Sequence, residues 1–115
     1  MVRFRKDMRT EVKHQLRGGK GCVDFTHILE NGELNSSSRL VANLKLDPGS
    51  SIGVHEHINE EEIYYVLSGK GILSENGIET EISAGDVALT KNGGSHSIEN
   101  RSDTALEMLA IILLY

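Results

Sequence analysis

The sequence predicts an all-β fold, either a sandwich or a barrel of short strands, and three observations support this. From residue 22 onward, short runs of alternating apolar and polar residues follow one another, each closed by turn residues. Two of the turns are Asn-Gly pairs, Asn31-Gly32 and Asn76-Gly77, which are typical of tight hairpins. No long stretch of this region has a clean helical period.

The predicted strands follow from this alternation and from the turns that interrupt it. Residues 39–47 show it most clearly, with apolar side chains at every even position from Leu40 to Leu46 before the run stops at Pro48-Gly49. Apart from the histidine segment treated below, the strands are predicted at 23–30, 39–47, 62–68, 71–74, 78–82, 86–90, 96–100 and 104–115.

The last predicted strand is apolar on both faces. One face carries Leu109, Ile111 and Leu113, and the other carries Leu106, Met108, Ala110, Ile112 and Leu114. A strand of this kind must be covered on both sides. In a domain this small a second subunit is the expected cover, so we predict a homodimer. The alternative is that the N-terminal segment folds over the same face within one chain.

The length of 115 residues fits one domain, preceded by a short basic segment. We assign residues 1–21 to an N-terminal basic arm and residues 22–115 to the barrel domain. The arm is expected to be solvated and partly mobile, and a weak anion-binding role for it stays open. Its cationic residues are Arg3, Arg5, Lys6, Arg9, Lys13, Arg17 and Lys20.

Charge and composition limit the classes of partner and the cellular compartment that we expect. The net charge of −5 argues against nucleic acid as a partner, because phosphate binding needs a basic face. A single cysteine, Cys22, permits no intramolecular disulfide and suits a reducing compartment. The N-terminus has no apolar stretch of signal-peptide type, and the most apolar run, 105–115, is too short for a membrane helix. We therefore expect a cytoplasmic protein that binds no membrane.

Four side chains with metal-ligating chemistry stand at informative spacings. His55 and His57 lie two residues apart, so on a strand both imidazoles face the same side. Glu62 opens the next predicted strand, and His96 opens a later one. Three imidazoles and one carboxylate suit one divalent transition metal ion, namely Mn, Fe, Co, Ni, Cu or Zn. Such an ion would keep open coordination positions for a ligand.

The two histidine segments resemble the paired motifs of the cupin superfamily, G-x5-H-x-H-x3,4-E-x6-G and G-x5-P-x-G-x2-H-x3-N. The first motif is met by Gly49, His55, His57, Glu62 and Gly69, and the second by Gly85, Gly93, His96 and Asn100. Lys91 stands where the family usually has proline. The resemblance implies a double-stranded β-helix, or jelly-roll barrel, of the small single-domain type.

The resemblance also implies metal ligation by His55, His57, Glu62 and His96. Glu60 and Glu61 compete for the carboxylate position, and the spacing to Gly69 favours Glu62. Tyr64 shares the strand parity of Glu62 and is either a hydrogen-bond donor inside the barrel or a core aromatic. No residue is assigned as a general acid or base, so the catalytic residues are unknown.

Cupins with three histidines and one glutamate include oxalate oxidases, oxalate decarboxylases and several dioxygenases, and small cupins include sugar-phosphate isomerases. The resemblance therefore implies a metal-dependent small-molecule enzyme of dioxygenase, decarboxylase or isomerase type, acting on an oxygen-rich substrate that binds the metal. The motifs do not choose among these reactions. The alternative function is a non-catalytic module that binds or senses a small molecule.

Overall fold

The computed structural model describes all residues, 1–115, and contains ten strands. Its helical elements are two three-residue 3-10 helices, Arg5–Asp7 and Leu16–Gly18, so no helix is long and apolar enough to cross a membrane. The strands are β1 Arg9–His14, β2 Cys22–Leu29, β3 Ser38–Leu46, β4 Ser51–Glu56, β5 Glu60–Ser68, β6 Lys70–Glu75, β7 Ile78–Ser83, β8 Val87–Thr90, β9 Ser95–Glu99 and β10 Leu106–Leu114.

The strands form two antiparallel sheets. One has six strands in the order β1-β2-β3-β10-β5-β8, and the other has four in the order β4-β9-β6-β7. Consecutive strands therefore often lie in different sheets, as in a jelly roll. The all-β prediction is confirmed, and each of the eight strands predicted by alternation corresponds to a strand of the structure.

A single apolar core fills the space between the two sheets. Alternate residues of β3 and β9 point inward, so that Leu44 and Leu46 of β3 and Ile98 of β9 belong to one buried cluster. These three side chains are at most 1% exposed. Burying each one stabilises the fold by about 1.5–3 kcal/mol relative to an exposed position. The core thus fixes which residues of each strand can face the centre of the barrel.

Asn100 ties the end of β9 to the rest of the barrel. Its Nδ2 donates to the carbonyl oxygens of Leu46 and Thr104, at 2.9 and 2.8 Å, and its Oδ1 accepts from Ser102. The side chain is fully buried, so each of these bonds offsets the cost of removing an amide from water.

The loop that carries Lys91, where the family usually has proline, is closed by a backbone hydrogen bond. The Gly94 N–H donates to the Lys91 carbonyl oxygen.

The N-terminal segment differs from the solvated arm that the sequence led us to expect. Residues Arg9–His14 form the edge strand β1, which pairs with β2 from Arg9↔His27 to His14↔Cys22. Arg9 also makes a bidentate contact with Glu30 at 2.9–3.2 Å. Because one face of this edge strand carries the charged residues Arg9, Glu11 and Lys13, the hydrophobic alternation that identified the other strands is missing. The division of the chain at residues 21 and 22 stays a prediction.

Candidate metal centre

The four predicted ligand residues come together at one end of the barrel, between the two sheets. His55 lies on β4 and His96 on β9, where they are direct register partners. His57 follows the end of β4, and Glu62 is the third residue of β5. Strand β5 belongs to the sheet opposite that of β4 and β9, so Glu62 meets the imidazoles across the interior.

The ligating atoms of these residues lie within 4.8 Å of one another. The His96 Nε2 is 3.0 Å from the His57 Nε2, 3.1 Å from the His55 Nε2 and 3.0 Å from the Glu62 Oε1. The His57 Nε2 is 3.1 Å from the same carboxylate oxygen. Two atoms bonded to one ion at about 2.1 Å lie about 3 Å apart when their bonds meet at right angles. The separations therefore match those of neighbouring ligands on one ion.

The far side of each imidazole is held by a different partner. The His55 Nδ1 is 2.7 Å from the Gly53 carbonyl oxygen, and the His57 Nδ1 is 2.7 Å from the Glu60 carboxylate. Both partners only accept, so these Nδ1 atoms carry the hydrogen in the neutral imidazoles. The Thr90 hydroxyl is 2.8 Å from the His96 Nδ1. The Nε2 lone pairs of His55 and His57 consequently face the centre of the cluster.

In this arrangement the Nε2 lone pairs of His55 and His57 and the Glu62 Oε1, all hydrogen-bond acceptors, face one another. The Glu62 Oε1 is buried and has no hydrogen-bond partner in the protein. Unpartnered carboxylate oxygens and imidazole lone pairs in so small a space are costly unless a cation lies among them. A divalent ion ligated by all four residues would satisfy every one of these atoms at once. The donor set therefore fits the metal ion that the sequence predicts.

The pKa shifts agree with a site that prefers a positive charge. The close Glu62 carboxylate holds the pKa of His57 above its usual value, against the effect of burial. Burial alone would raise the pKa of Glu62, but its contacts with His57 and His96 outweigh that effect and lower the pKa. Burial lowers the pKa of His55, which favours the neutral form that binds metals.

Glu60, a competing candidate for the carboxylate ligand, has a different position. It contacts the Nδ1 of His57, on the side of the ring away from the cluster, and accepts two hydrogen bonds from Arg39 at 2.6 and 2.7 Å. The Arg39 guanidinium lowers the pKa of Glu60 to about 2, with a further contribution from His57. Glu60 therefore orients the His57 imidazole as a carboxylate partner. This role could not be predicted from the sequence, because nothing in the local spacing distinguishes a ligand from its support.

Tyr64 occupies the floor of the site. Its ring stacks on the His96 imidazole, with centroids 5.1 Å apart and an interplanar angle of 11°. The side chain is 2% exposed, and burial raises its pKa well above the usual value, so the hydroxyl stays protonated. Tyr64 therefore fixes the plane of one imidazole by packing and belongs to the core cluster.

A pocket of about 90 Å³ opens directly onto the cluster. Apolar residues such as Leu40, Ile52 and Ile112 form part of its wall. Its charged lining is unbalanced, because Glu62 is the only carboxylate whereas three cations contribute, namely Lys13, Arg17 and Arg39. No cation was predicted here from the sequence. Two of the three lie in the N-terminal segment, far from the motifs along the chain.

Comparisons with known proteins agree with the fold described above. The profile of the Cupin domain family matches residues 43–112. A relative from Thermotoga maritima named oxalate-binding protein is 46% identical over 114 residues, covering 99% of this chain and 94% of the relative.

Among solved structures, one from Thermotoga maritima is described as a predicted oxalate decarboxylase. It superposes with a TM-score of 0.95 at 46% identity and covers 100% of both chains. A structure from Silicibacter pomeroyi described as a sugar phosphate isomerase has a TM-score of 0.81 at 20% identity, covering 100% of this chain and 76% of that one, which shows a shared fold alone. From the matched family profile and the extent of these similarities, the chain belongs to the cupin family.

Proposed function

We propose that this cupin binds a small dicarboxylate of the oxalate kind on one divalent transition metal ion held by His55, His57, Glu62 and His96. The observation that carries the proposal is the buried, partnerless Glu62 oxygen facing the imidazole nitrogens beneath a pocket lined by cations. When bound, the metal would supply a Lewis acid that attracts carboxylate oxygens. The oxalate-binding relative supports this ligand class.

The size of the pocket supports a small ligand. Sites for drug-sized molecules measure about 300–1,000 Å³, whereas this pocket measures about 90 Å³. A sugar phosphate, which is one of the substrates that the family resemblance allows, is much larger than oxalate. Within the reaction classes implied by the sequence, the pocket therefore favours those that act on a compact acid, namely decarboxylase or dioxygenase chemistry.

Catalysis of oxalate decarboxylation is the second candidate, supported by the similar structure described as a predicted oxalate decarboxylase. Breaking the carbon–carbon bond would release carbon dioxide, and a proton must then be delivered to the remaining carbon. A carboxylic acid beside the ligand would serve, but Glu60 is held by Arg39 and His57, and Glu62 faces the imidazoles. The absence of a free carboxyl group in the pocket favours binding without turnover.

One titration separates the two candidates. The purified protein is loaded with Mn(II), Fe(II), Co(II) or Zn(II) in parallel, and oxalate is added in a calorimeter while formate and carbon dioxide are assayed. We expect oxalate to bind stoichiometrically to the metal-loaded protein and not to the chelator-treated protein. Formate and carbon dioxide in equal amounts would establish the decarboxylase. Failure of every metal-loaded form to bind oxalate would contradict the proposed function.

Metal occupancy should depend on pH because protons compete for the imidazoles. Histidines ligate metals in the neutral form, and their ordinary pKa is about 6.5. The raised pKa of His57 means that protons begin to compete at a higher pH at this ligand. Glu60, with a pKa of about 2, remains a carboxylate throughout the range. We expect occupancy, measured by elemental analysis under metal-limiting conditions, to fall as pH decreases below neutrality. Constant occupancy down to about pH 4 would mean that imidazoles are not the principal ligands.

We also propose that the chain forms a homodimer through the outer face of the six-stranded sheet. Apolar residues run across four strands of this face in two rows. One row is Val41, Ile111, Ile63 and Leu89, and the other includes Leu109, Tyr65 and Val87. The N-terminal segment leaves the patch uncovered, since Tyr65 and Val87 remain 41% and 64% exposed. Two copies related by a twofold axis would bury the patch against itself.

A further inference from the structure

The three cations that line the pocket differ in their partners. Arg39 is occupied by its two hydrogen bonds to Glu60. Lys13 lies over the Phe25 ring, 4.6 Å from its centroid, and is 3.9 Å from Glu11. Arg17 forms no ion pair and no side-chain hydrogen bond, although it lines the same pocket as His55 and Glu62. It is therefore the one cation there whose charge is free to meet an incoming anion.

The backbone around Arg17 is held in an unusual conformation. Arg17 has φ 54° and ψ 32°, in the left-handed region that non-glycine residues rarely occupy. The turn between β1 and β2 is closed by a hydrogen bond from the Gln15 N–H to the Gly21 carbonyl, at 2.9 Å. A residue kept in such a conformation must be held there by its surroundings, and such residues cluster at functional sites.

Strand β4 provides that support. The Ser51 N–H donates to the Lys20 carbonyl at 2.8 Å, and the Lys20 N–H donates to the Ser51 hydroxyl at 2.8 Å. At Gly53 the turn comes so close that a Cβ atom would overlap the carbonyl oxygen of Arg17. The glycine therefore allows the Arg17 backbone to lie directly against the strand that carries His55. The turn that carries Arg17 is thus held against strand β4, which carries His55.

We infer that Arg17 binds the ligand carboxylate at the side away from the metal and makes this pocket selective for a small dicarboxylate. The inference rests on the proposed function. Oxalate bound to a metal through one oxygen of each carboxylate still has two outward oxygens. A guanidinium can donate two hydrogen bonds to such oxygens in a planar arrangement. Arg17 would thus neutralise charge that the metal ion does not reach.

The test compares oxalate with fluoride on the Co(II)-loaded protein, using its visible absorption to report binding. Fluoride is a single atom that can occupy the metal without reaching Arg17. We expect Arg17→Met to weaken oxalate binding by about 10- to 100-fold, as for a lost charged hydrogen bond. Fluoride affinity should change by less than about threefold and cobalt content not at all. Arg17→Lys should recover part of the loss. Arg5→Met removes the same charge from the same segment outside the pocket and should bind oxalate like the wild type.

Each other outcome is decisive. Oxalate affinity unchanged in Arg17→Met would overturn the inference and leave the proposed function standing. An equal loss of oxalate and fluoride affinity, or a loss of cobalt, would show that Arg17 only supports the fold of the site, and would also overturn it. If the wild-type protein binds fluoride on the metal but no oxalate, the proposed function fails and the inference fails with it.

Discussion

Replacing His96 with alanine is expected to remove most of the bound metal, and His55→Ala, His57→Ala and Glu62→Ala should do the same. His96 has the central position, since its Nε2 lies 3.0–3.1 Å from the ligating atoms of the other three residues. A site that has lost one of its four ligands holds the ion less tightly. The lone pairs of the remaining ligands are then buried without the ion that compensates them. Metal content per chain, measured after dialysis against a weak chelator, checks this prediction.

Two variants serve as controls for metal loss. His14→Ala removes an exposed histidine whose Nδ1 contacts Cys22, and it should leave metal content unchanged. Glu60→Ala removes a support of His57 and not a ligand, so it should not strip most of the metal. Because Glu60 holds the Nδ1 of His57 at 2.7 Å, we expect this variant to weaken metal binding by about 10- to 100-fold, a smaller effect than loss of a ligand. Full metal retention in the four ligand variants would disprove the site.

Ile111→Glu is expected to convert the proposed dimer into monomers or aggregates. Ile111 lies on the central strand β10, between Val41 on one side and Ile63 on the other. Each large apolar side chain left in water forgoes about 1.5–3 kcal/mol, and a carboxylate in the middle of a buried interface adds a desolvation cost. Sedimentation velocity at micromolar concentration measures the change.

The matched control for this variant is Ile78→Glu. Ile78 is 72% exposed on β7 of the other sheet, so the same chemical change there should leave the dimer intact. If the wild-type protein sediments as a monomer, the outer face is not a dimer interface. In that case the exposure of Tyr65 and Val87 would have another explanation.

Much of this fold could be predicted from the sequence because its information is local. Strands with one inward face alternate apolar and polar residues, and a turn ends each of them, so β3 could be located from its alternation, whereas β10 was located as a continuous apolar run. Strand β1 escaped prediction because its inward-facing side chains include Glu11 and Lys13 at the edge of the sheet. Edge strands bury little, and so they carry little hydrophobic signal.

The sequence by itself determined the ligand candidates, since two imidazoles two residues apart on a strand must share a face and Glu62 has the expected spacing to Gly69. Tertiary structure alone decided that Glu60 supports His57, because Glu60 and Glu62 have the same strand parity and differ only in what lies opposite. Tertiary structure also brought Arg17 to the pocket. That contact depends on a close approach of two backbones distant in sequence, which spacing along the chain cannot encode.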